Sequence, residues 1–514
     1  VRRKCAAHAP EWIASALVRA RLERFPARFV GAPLAITAGA IVLRVVSGVG
    51  FANYDTLYAL AWGGQLSRGD TPAYGVAIAP TPHPLLELLG LVLSPLAPHA
   101  IVEVTVALGF LALSACGWAI YQLGAQWFGW AAGALAALIF LTRAEVLSYG
   151  VRAYVDIPYL SLVLGALLVE SRHQRLRGGP AGAPVLALLA LAGLLRPEAW
   201  AFSGLYWLYL IGLVPAWMRA RIGSGASWRE RPRGEIVRLT LLAAAAPLIW
   251  VLSDLAVTGD PLWSLTNTQH TAETLDRETG IANVPEYIPR RIGEILRPAV
   301  LVAAAFGGVL SLLWLRRRAL LGAGAGVLAV VVFAAFASVG LPINTRYAFL
   351  AAAILCIFAG AGVFGWRSLQ RDDPRRRWWM AGGALVLVLL LAFAPSNYRE
   401  AHRELDKLSR QQSIQGELLA LVDNHSITLR CGPVGVPNHA PIPLLALYLK
   451  TSPANVVSLQ VGHISSGVYV DPASTEVEDD YVLDPHDPHE AVTVPPGFTE
   501  AHANRSWLIF EHCS

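Results

Sequence analysis

Apolar residues come in long blocks between residues 32 and 395, and short polar stretches rich in Arg, Gly and Pro separate them. A block of ~20 apolar residues wound as a helix crosses the ~30 Å hydrocarbon core of a bilayer. The pattern predicts eleven spans, at roughly 32–50, 100–122, 127–142, 157–171, 183–197, 200–217, 237–257, 298–315, 319–340, 348–366 and 378–395. The block from Pro84 to Pro95 is left out: at ~12 residues and closed by a proline, it suits a helix lying in the interface. From residue 396 onward the spanning blocks stop. Runs such as Ala454–Gln460 and Ser506–Phe510 read as strands. The expected architecture is a polytopic α-helical membrane body over 32–395, preceded by a basic segment 1–31 and followed by a small soluble α/β domain over 396–514.

Charge supports that reading and orients it. The chain is 55% hydrophobic and 15% charged, whereas a soluble domain carries about 25% charged residues. With Arg2, Arg3, Arg19, Arg21, Arg24 and Arg28 held in the cytosol, the inner loops collect the basic residues. These are Arg172, Arg175 and Arg177; Arg219, Arg221, Arg229, Arg231 and Arg233; Arg316 to Arg318; and Arg367, Arg371 and Arg375 to Arg377. Counting Pro84–Pro95 as a span would reverse this, so the charge rule rejects it. The odd count places the C-terminal domain outside the cell membrane, and no cleavable signal peptide is expected in residues 1–31. The net charge of +5 therefore concerns orientation rather than nucleic acid. Abundant Arg beside scarce Lys has the composition of a GC-rich bacterial genome. Cys116 and Cys356 fall in apolar runs as packing residues, and Cys5 is cytosolic. Cys431 and Cys513 share an oxidising compartment, either bonded or as free thiols.

The outer loops, 51–99, 143–156, 258–297 and Leu341–Tyr347, carry the chemistry. Two isolated acids sit at one water–lipid boundary: Asp55 in Asn53-Tyr-Asp-Thr-Leu-Tyr58, and Asp156 in Arg152-Ala-Tyr-Val-Asp-Ile-Pro158. Between them come Gly69-Asp-Thr-Pro-Ala-Tyr74 and Pro82-His83-Pro-Leu85. Further on lie Leu195-Arg196-Pro-Glu198-Ala-Trp200, Thr258-Gly-Asp-Pro-Leu-Trp263 and Asn344-Thr-Arg346-Tyr347. In order and sidedness these segments resemble the GT-C glycosyltransferases, within them the protein O-mannosyltransferase and aminoarabinose transferase branch. The resemblance covers most of residues 32–370; the C-terminal domain has no counterpart in it.

That resemblance implies a polyprenyl-phosphate sugar donor and an inverting displacement on the outer face, with mannose or arabinose moved to a cell-envelope glycan, glycolipid or protein. Asp55 matches the catalytic acid. Asp156 matches the second-loop acid that positions the acceptor or a metal, with Glu198 and His83 as further candidates for that role; Arg346 matches a basic residue near the donor phosphate, with Arg196 as a second candidate at the same depth. If a metal takes part, Asp55 and Asp156 offer oxygen ligands suited to Mg2+ or Mn2+. Asp55 is followed by Thr, where protein O-mannosyltransferases pair Asp with Glu, which argues against protein hydroxyls as acceptors. The chemistry agrees independently: such a transfer needs a base for the acceptor hydroxyl and permanently charged forks for a departing phosphate.

Each residue also has a plainer reading. Interfacial Asp and Arg can simply mark where helices leave lipid, Asp70 suits a turn, His83 a helix start, and Glu198 a pair with Arg196. Arg44 lies mid-span, where a charge costs ~2.5–3.5 kcal/mol. It needs an acidic, phosphate or water-filled partner and is expected to face the interior and pair there, with Glu103 and Asp254 as further candidates. The Asp479–Glu490 cluster reads as hydrated loop, and Asp372-Asp373 lacks a nucleotide-sugar domain to give it meaning. The alternative class is a secondary transporter or lipid-linked sugar flippase, yet no inverted repeat or matched pair of broken helices is visible. A third reading makes the C-terminal domain a glycan- or peptide-binding module.

Overall fold

The computed structural model describes residues 31–213, 232–482 and 493–513. The N-terminal Arg cluster, Cys5, Arg219 to Arg231 and the Asp484–Glu490 stretch lie outside the described residues. The chain is a multi-pass membrane protein. Its helices are α1 (Gly31–Ser47), α2 (Tyr54–Ser67), α3 (Pro84–Leu93), α4 (Pro98–Phe128), α5 (Trp130–Leu141), α6 (Ala144–Val151), α7 (Asp156–Arg177), α8 (Ala183–Gly193) and α9 (Glu198–Leu210). Then follow α10 (Arg233–Thr258), α11 (Trp263–Thr274), α12 (Val284–Trp314), α13 (Arg316–Ser338), α14 (Phe349–Phe364), α15 (Arg375–Asp423) and α16 (Ile442–Tyr448). Among the described residues six helices are long and apolar enough to cross a membrane, and α5 with α6, bent by 68°, makes a seventh if counted as one. The expected crossings at 32–50, 157–171, 183–197 and 200–217 fall on α1, α7, α8 and α9.

The bundle separates charge by end. α7 begins at Asp156 and finishes with Arg175 and Arg177, which at 1.5 Å per residue puts about 30 Å between them. At the Arg end, Arg175 donates to the Gln126 carbonyl, Arg172 to Gln122, and Ser368 to the Phe128 carbonyl. At the opposite end, the Phe51 and Asn53 amides donate to the Val151 and Arg152 carbonyls. The apolar block left out of the spans forms the ten-residue helix α3, its Pro84 at the first helical position.

Without a hydrophobic drive between helices in lipid, association depends on close packing of small residues. α14 is the hub: nearly every residue from Phe349 to Val363 is buried. Side chains at Gly307, Gly360 or Gly362 would overlap facing backbone, so these glycines set the crossings of α14 with α12 and α5. α12 breaks at Arg297, whose φ of +64° precedes Pro298. An outer amphipathic segment thus becomes separate from the span, and Arg297 pairs with Glu400 on α15. α15 carries the last span and continues without interruption through Pro395 to Asp423. Of the partners expected for Arg44, a carboxylate is not found among the described residues. The Arg44 guanidinium lies over the Phe110 ring at 5.8 Å, and Asp254 is taken by Ser264. A cation over an aromatic face recovers part of what a carboxylate would supply.

The C-terminal sheet has five strands: β1 (Val434–Val436), β2 (Val456–Ser458), β3 (Gly467–Pro472), β4 (Thr499–Ala503) and β5 (Trp507–His512). Their order is β2-β1-β3-β5-β4, parallel among the first three and antiparallel across β3-β5-β4. A disulfide between Cys431 and Cys513 ties the approach to β1 to the end of β5. This domain does not stand apart. Tyr58, Trp62 and Tyr74, on α2 and the loop that follows it, share one core with Leu418, Val434, Leu445 and Trp507.

α2 and α3 cross where Gly63 faces the backbone of Glu87 to Leu91 and Gly90 faces Leu60. Overpacking such a contact costs about 1–3 kcal/mol. Gly63→Val is expected to lower the thermal midpoint of the detergent-solubilised protein by several degrees. Gly64→Ala, whose added carbon meets only the Arg68 side chain, leaves it unchanged or slightly raised.

Candidate active site

Asp55 stands in the first turn of α2, where free backbone N–H groups favour a carboxylate. Asn53 caps that turn by accepting from the Thr56 amide at 3.1 Å. The Thr56 hydroxyl donates at 2.8 Å to the Ala153 carbonyl, which pins α2 to the strained turn, φ +49° at Ala153, that leads into Asp156. The two acids predicted from separate loops are therefore held by one set of short contacts.

Arg346 comes from a single helical turn, Thr345–Ala348, ahead of α14. Its Nη1 donates to Asp55 Oδ2 at 2.8 Å and lies 3.9 Å from Asp156 Oδ2. Arg196, between α8 and α9, donates through Nη1 to Asp156 and through Nη2 to Glu198 Oε1 at 2.6 Å. The Tyr347 ring covers Arg196 at 4.5 Å. Asp55, Arg346, Asp156, Arg196 and Glu198 thus form a ladder of alternating charge. His83 lies near it, edge-on to Trp250 at 6.1 Å, and makes no ion pair among the described residues. Five of the six predicted residues are joined directly; His83 is a neighbour.

The ladder is not saturated. Asp156 Oδ2, Glu198 Oε2, Arg346 Nε and His83 Nδ1 are buried without a hydrogen-bond partner. Buried polar atoms of this kind are costly unless something else satisfies them. Burial alone would raise the Asp55 carboxyl, but Arg346, then His83 and Arg277, outweigh it and hold Asp55 below the ordinary carboxylate range. His83 is pushed down to about 4, chiefly by burial, so its ring is neutral at pH 7.

Two contributors had no signal in the sequence. Arg277 acts on Asp55 from the α11–α12 connection, yet it sits in an ordinary Asp-Arg-Glu triplet. Glu294 accepts from the Thr345 hydroxyl at 3.0 Å and from Arg291 at 3.0 Å, fixing the turn that bears Arg346. Asp70 pairs with Arg68 as a surface turn residue, and Asp373 caps α15.

A pocket opens beside the ladder. Its polar side is Asp156, Glu198 and Arg346, and its other walls are apolar, with Phe202, Val332 and Phe333 among them. Among the described residues no group of three His, Cys, Asp or Glu side chains could hold a metal ion. Asp55 and Asp156 do not fit one in this arrangement, because the Arg346 guanidinium occupies the space that a shared cation would need.

The helical body, its outer loops and the small sheet domain together make the GT-C fold. ArnT from Cupriavidus metallidurans bound to undecaprenyl phosphate is similar at TM-score 0.52 and 16% identity, over 93% of this chain and 97% of that one. Its apo state gives 0.48 at 15% identity, covering 94% and 98%. The Archaeoglobus fulgidus oligosaccharyltransferase in complex with Zn and sulfate gives 0.45 at 12% identity, covering 83% and 62%. No family model and no curated protein sequence matches the chain.

His83 yields a pH prediction. It takes up a proton at about 4 when folded but near 6.5 when unfolded, so acid favours the unfolded chain. Stability that is full above pH 6.5 is lost as pH falls toward 4, by about 2 kcal/mol at pH 5. The thermal midpoint is expected to drop between pH 7 and pH 5, and His83→Gln to remove most of that drop.

Proposed function

We propose that the protein is an inverting glycosyltransferase that moves a sugar, with mannose or arabinose as first candidates, from a polyprenyl-phosphate donor to a cell-envelope acceptor. The observation that carries this reading is the charge ladder at the mouth of an apolar-walled pocket. A lipid phosphate needs both at once: apolar walls for its chain and fixed cations for its head. The ArnT structure of similar fold holds undecaprenyl phosphate, which supports the donor class.

The resting site has three carboxylates, Asp55, Asp156 and Glu198, against two guanidinium groups, Arg196 and Arg346. An incoming phosphodiester competes with Asp55 for Arg346, and Arg277 brings a further positive charge to the same place. As Arg346 turns to the phosphate, Asp55 loses the partner that holds its pKa down and becomes a better base. Asp55 then takes the acceptor hydroxyl proton as the new glycosidic bond forms. The bond from the anomeric carbon to the phosphate oxygen breaks, and Arg346 and Arg196 hold the polyprenyl phosphate with its added negative charge. Asp156 and Glu198 orient Arg196, and neutral His83 is available to hydrogen-bond the acceptor or the sugar. Mg2+ or Mn2+ enters no step.

The basic loops gathered at the far end, and the disulfide in the domain packed on the Asp55 loop, support an N-terminal segment 1–31 in the cytosol. The same features support a catalytic body over 32–395 with its site, and the domain over 396–514, on the outer face.

The test uses purified protein, radiolabelled polyprenyl-phosphate sugars and envelope glycan. Asp55→Asn is expected to keep donor binding and lose turnover by ~10²–10⁴. Near wild-type turnover in that variant would show that Asp55 is not the base.

A further inference from the structure

A second polar space lies apart from the ladder, at the other end of α6 from Asp156. It is a groove of about 420 Å³ between the start of α6 and the outer half of α15, lined by Glu145, Glu400, Arg403, Glu404, Lys407 and Arg410 among others. We propose that this groove binds the acceptor as a neutral polyhydroxylated glycan, free or displayed on a lipid; this rests on the glycosyltransferase reading above.

Three observations carry it. The first is charge. Four carboxylates, with Asp406 as the fourth, face three bases. Glu400 is paired with Arg297 and Arg410 with Asp480. Such a balanced lining has no strong field of one sign, so it selects neither a polyanionic nor a polycationic ligand. The second is spacing. Glu400, Arg403, Glu404 and Lys407 recur at three- and four-residue intervals on one face of α15, with neighbours ~5–6 Å apart. Acceptors and donors alternating at that distance match hydroxyls on successive sugar residues of a chain, each of which donates and accepts. The third is connection. The Ser148 hydroxyl donates to Glu404 at 2.8 Å and accepts from Arg152 at 2.6 Å. The Arg152 carbonyl accepts from the Asn53 amide at 2.9 Å, two residues before Asp55. The next residue of α6, Tyr149, packs on Phe349, which lines the donor pocket. A chain lying in the groove is thereby led along α6 to the base.

The experiment measures binding of a fluorescent neutral mannohexaose and arabinohexaose to the full chain in detergent, without donor, beside the same glycans on a lipid anchor and a phosphorylated hexaose. The expected result is binding of at least one neutral glycan, weakened tenfold or more in Arg403→Ala/Lys407→Ala, with undecaprenyl phosphate binding unaltered. In turnover, the double variant raises the acceptor KM by a similar factor and leaves kcat within twofold. Arg403→Lys restores part of the loss. Preference for the lipid-anchored form identifies a glycolipid acceptor, and equal binding identifies a free glycan. Neutral-glycan binding that is absent from the wild type or unchanged in the variant overturns the proposal, as does stronger binding of the phosphorylated glycan or a fall in kcat alone. The binding arm needs no sugar transfer, so failure of the donor reading leaves it readable.

Discussion

The contact between Arg346 and Asp55 organises this molecule. A guanidinium and a carboxylate at 2.8 Å, both largely removed from water, are stable only as a pair, because either alone would carry an uncompensated buried charge. The partners lie 291 residues apart in the chain, so the pair can form only if the start of α2 and the turn before α14 meet. The surroundings enforce that meeting. Asn53 and Thr56 fix the Asp55 turn, while Glu294 and Arg291 fix the Thr345–Ala348 turn. Arg196 and Glu198 extend the same alternation away from the pair. The result is an arrangement that is electrostatically complete at rest yet keeps unpaired polar atoms pointed inward, the condition under which an anionic ligand can exchange partners rather than merely add to them.

The bilayer imposes the second constraint. Charge tolerated at the interface is expensive deeper in, so the functional groups gather at one end of the bundle and the helices meet elsewhere through glycine and alanine. α14 shows both demands in one element: Arg346 just ahead of its first turn, and a buried length crossed at Gly360 and Gly362. Displacing α14 along its axis would move Arg346 relative to Asp55, so helix packing about 15 residues away, at about 1.5 Å per residue, bears on the site.

Much of this was legible in the sequence because its signals are local. The apolar period marks the membrane body, the Pro84 start and Pro95 stop delimit α3, and Asp55, Asp156, Arg196 and Arg346 stand out as charges at helix ends. Glu198 pairs with Arg196 because the two lie two residues apart. What stayed hidden depends on long-range approach. Arg277 belongs to an unremarkable charged triplet, and nothing local says that its charge reaches Asp55. Arg44 was expected to need an acidic, phosphate or water-filled partner; its place over Phe110 was not legible, since a ring on a neighbouring helix leaves no charge signature. The Cys431–Cys513 bond was open between two readings because two cysteines 82 residues apart do not reveal whether the chain brings them together.

The place of the C-terminal domain follows from the same contacts. α15 rises from the membrane and lays Leu408 into a cluster with Phe51 and Val151, while Gln412 accepts from the Gly50 amide at 2.9 Å. Beyond it, the His439 ring meets Tyr54 edge-on at 5.3 Å, one residue from Asp55. A domain that only recruited ligands would be free to hang from a linker. This one closes over the turns that carry both acids, and its sheet shares a core with Trp62 and Tyr74 behind them. Tyr74 in turn donates to the buried Glu87 at 2.6 Å, on the helix that His83 begins. The rigidity of the turn that carries Asp55 is therefore partly a property of the C-terminal domain, and the boundary between membrane body and domain is one of composition rather than of mechanics.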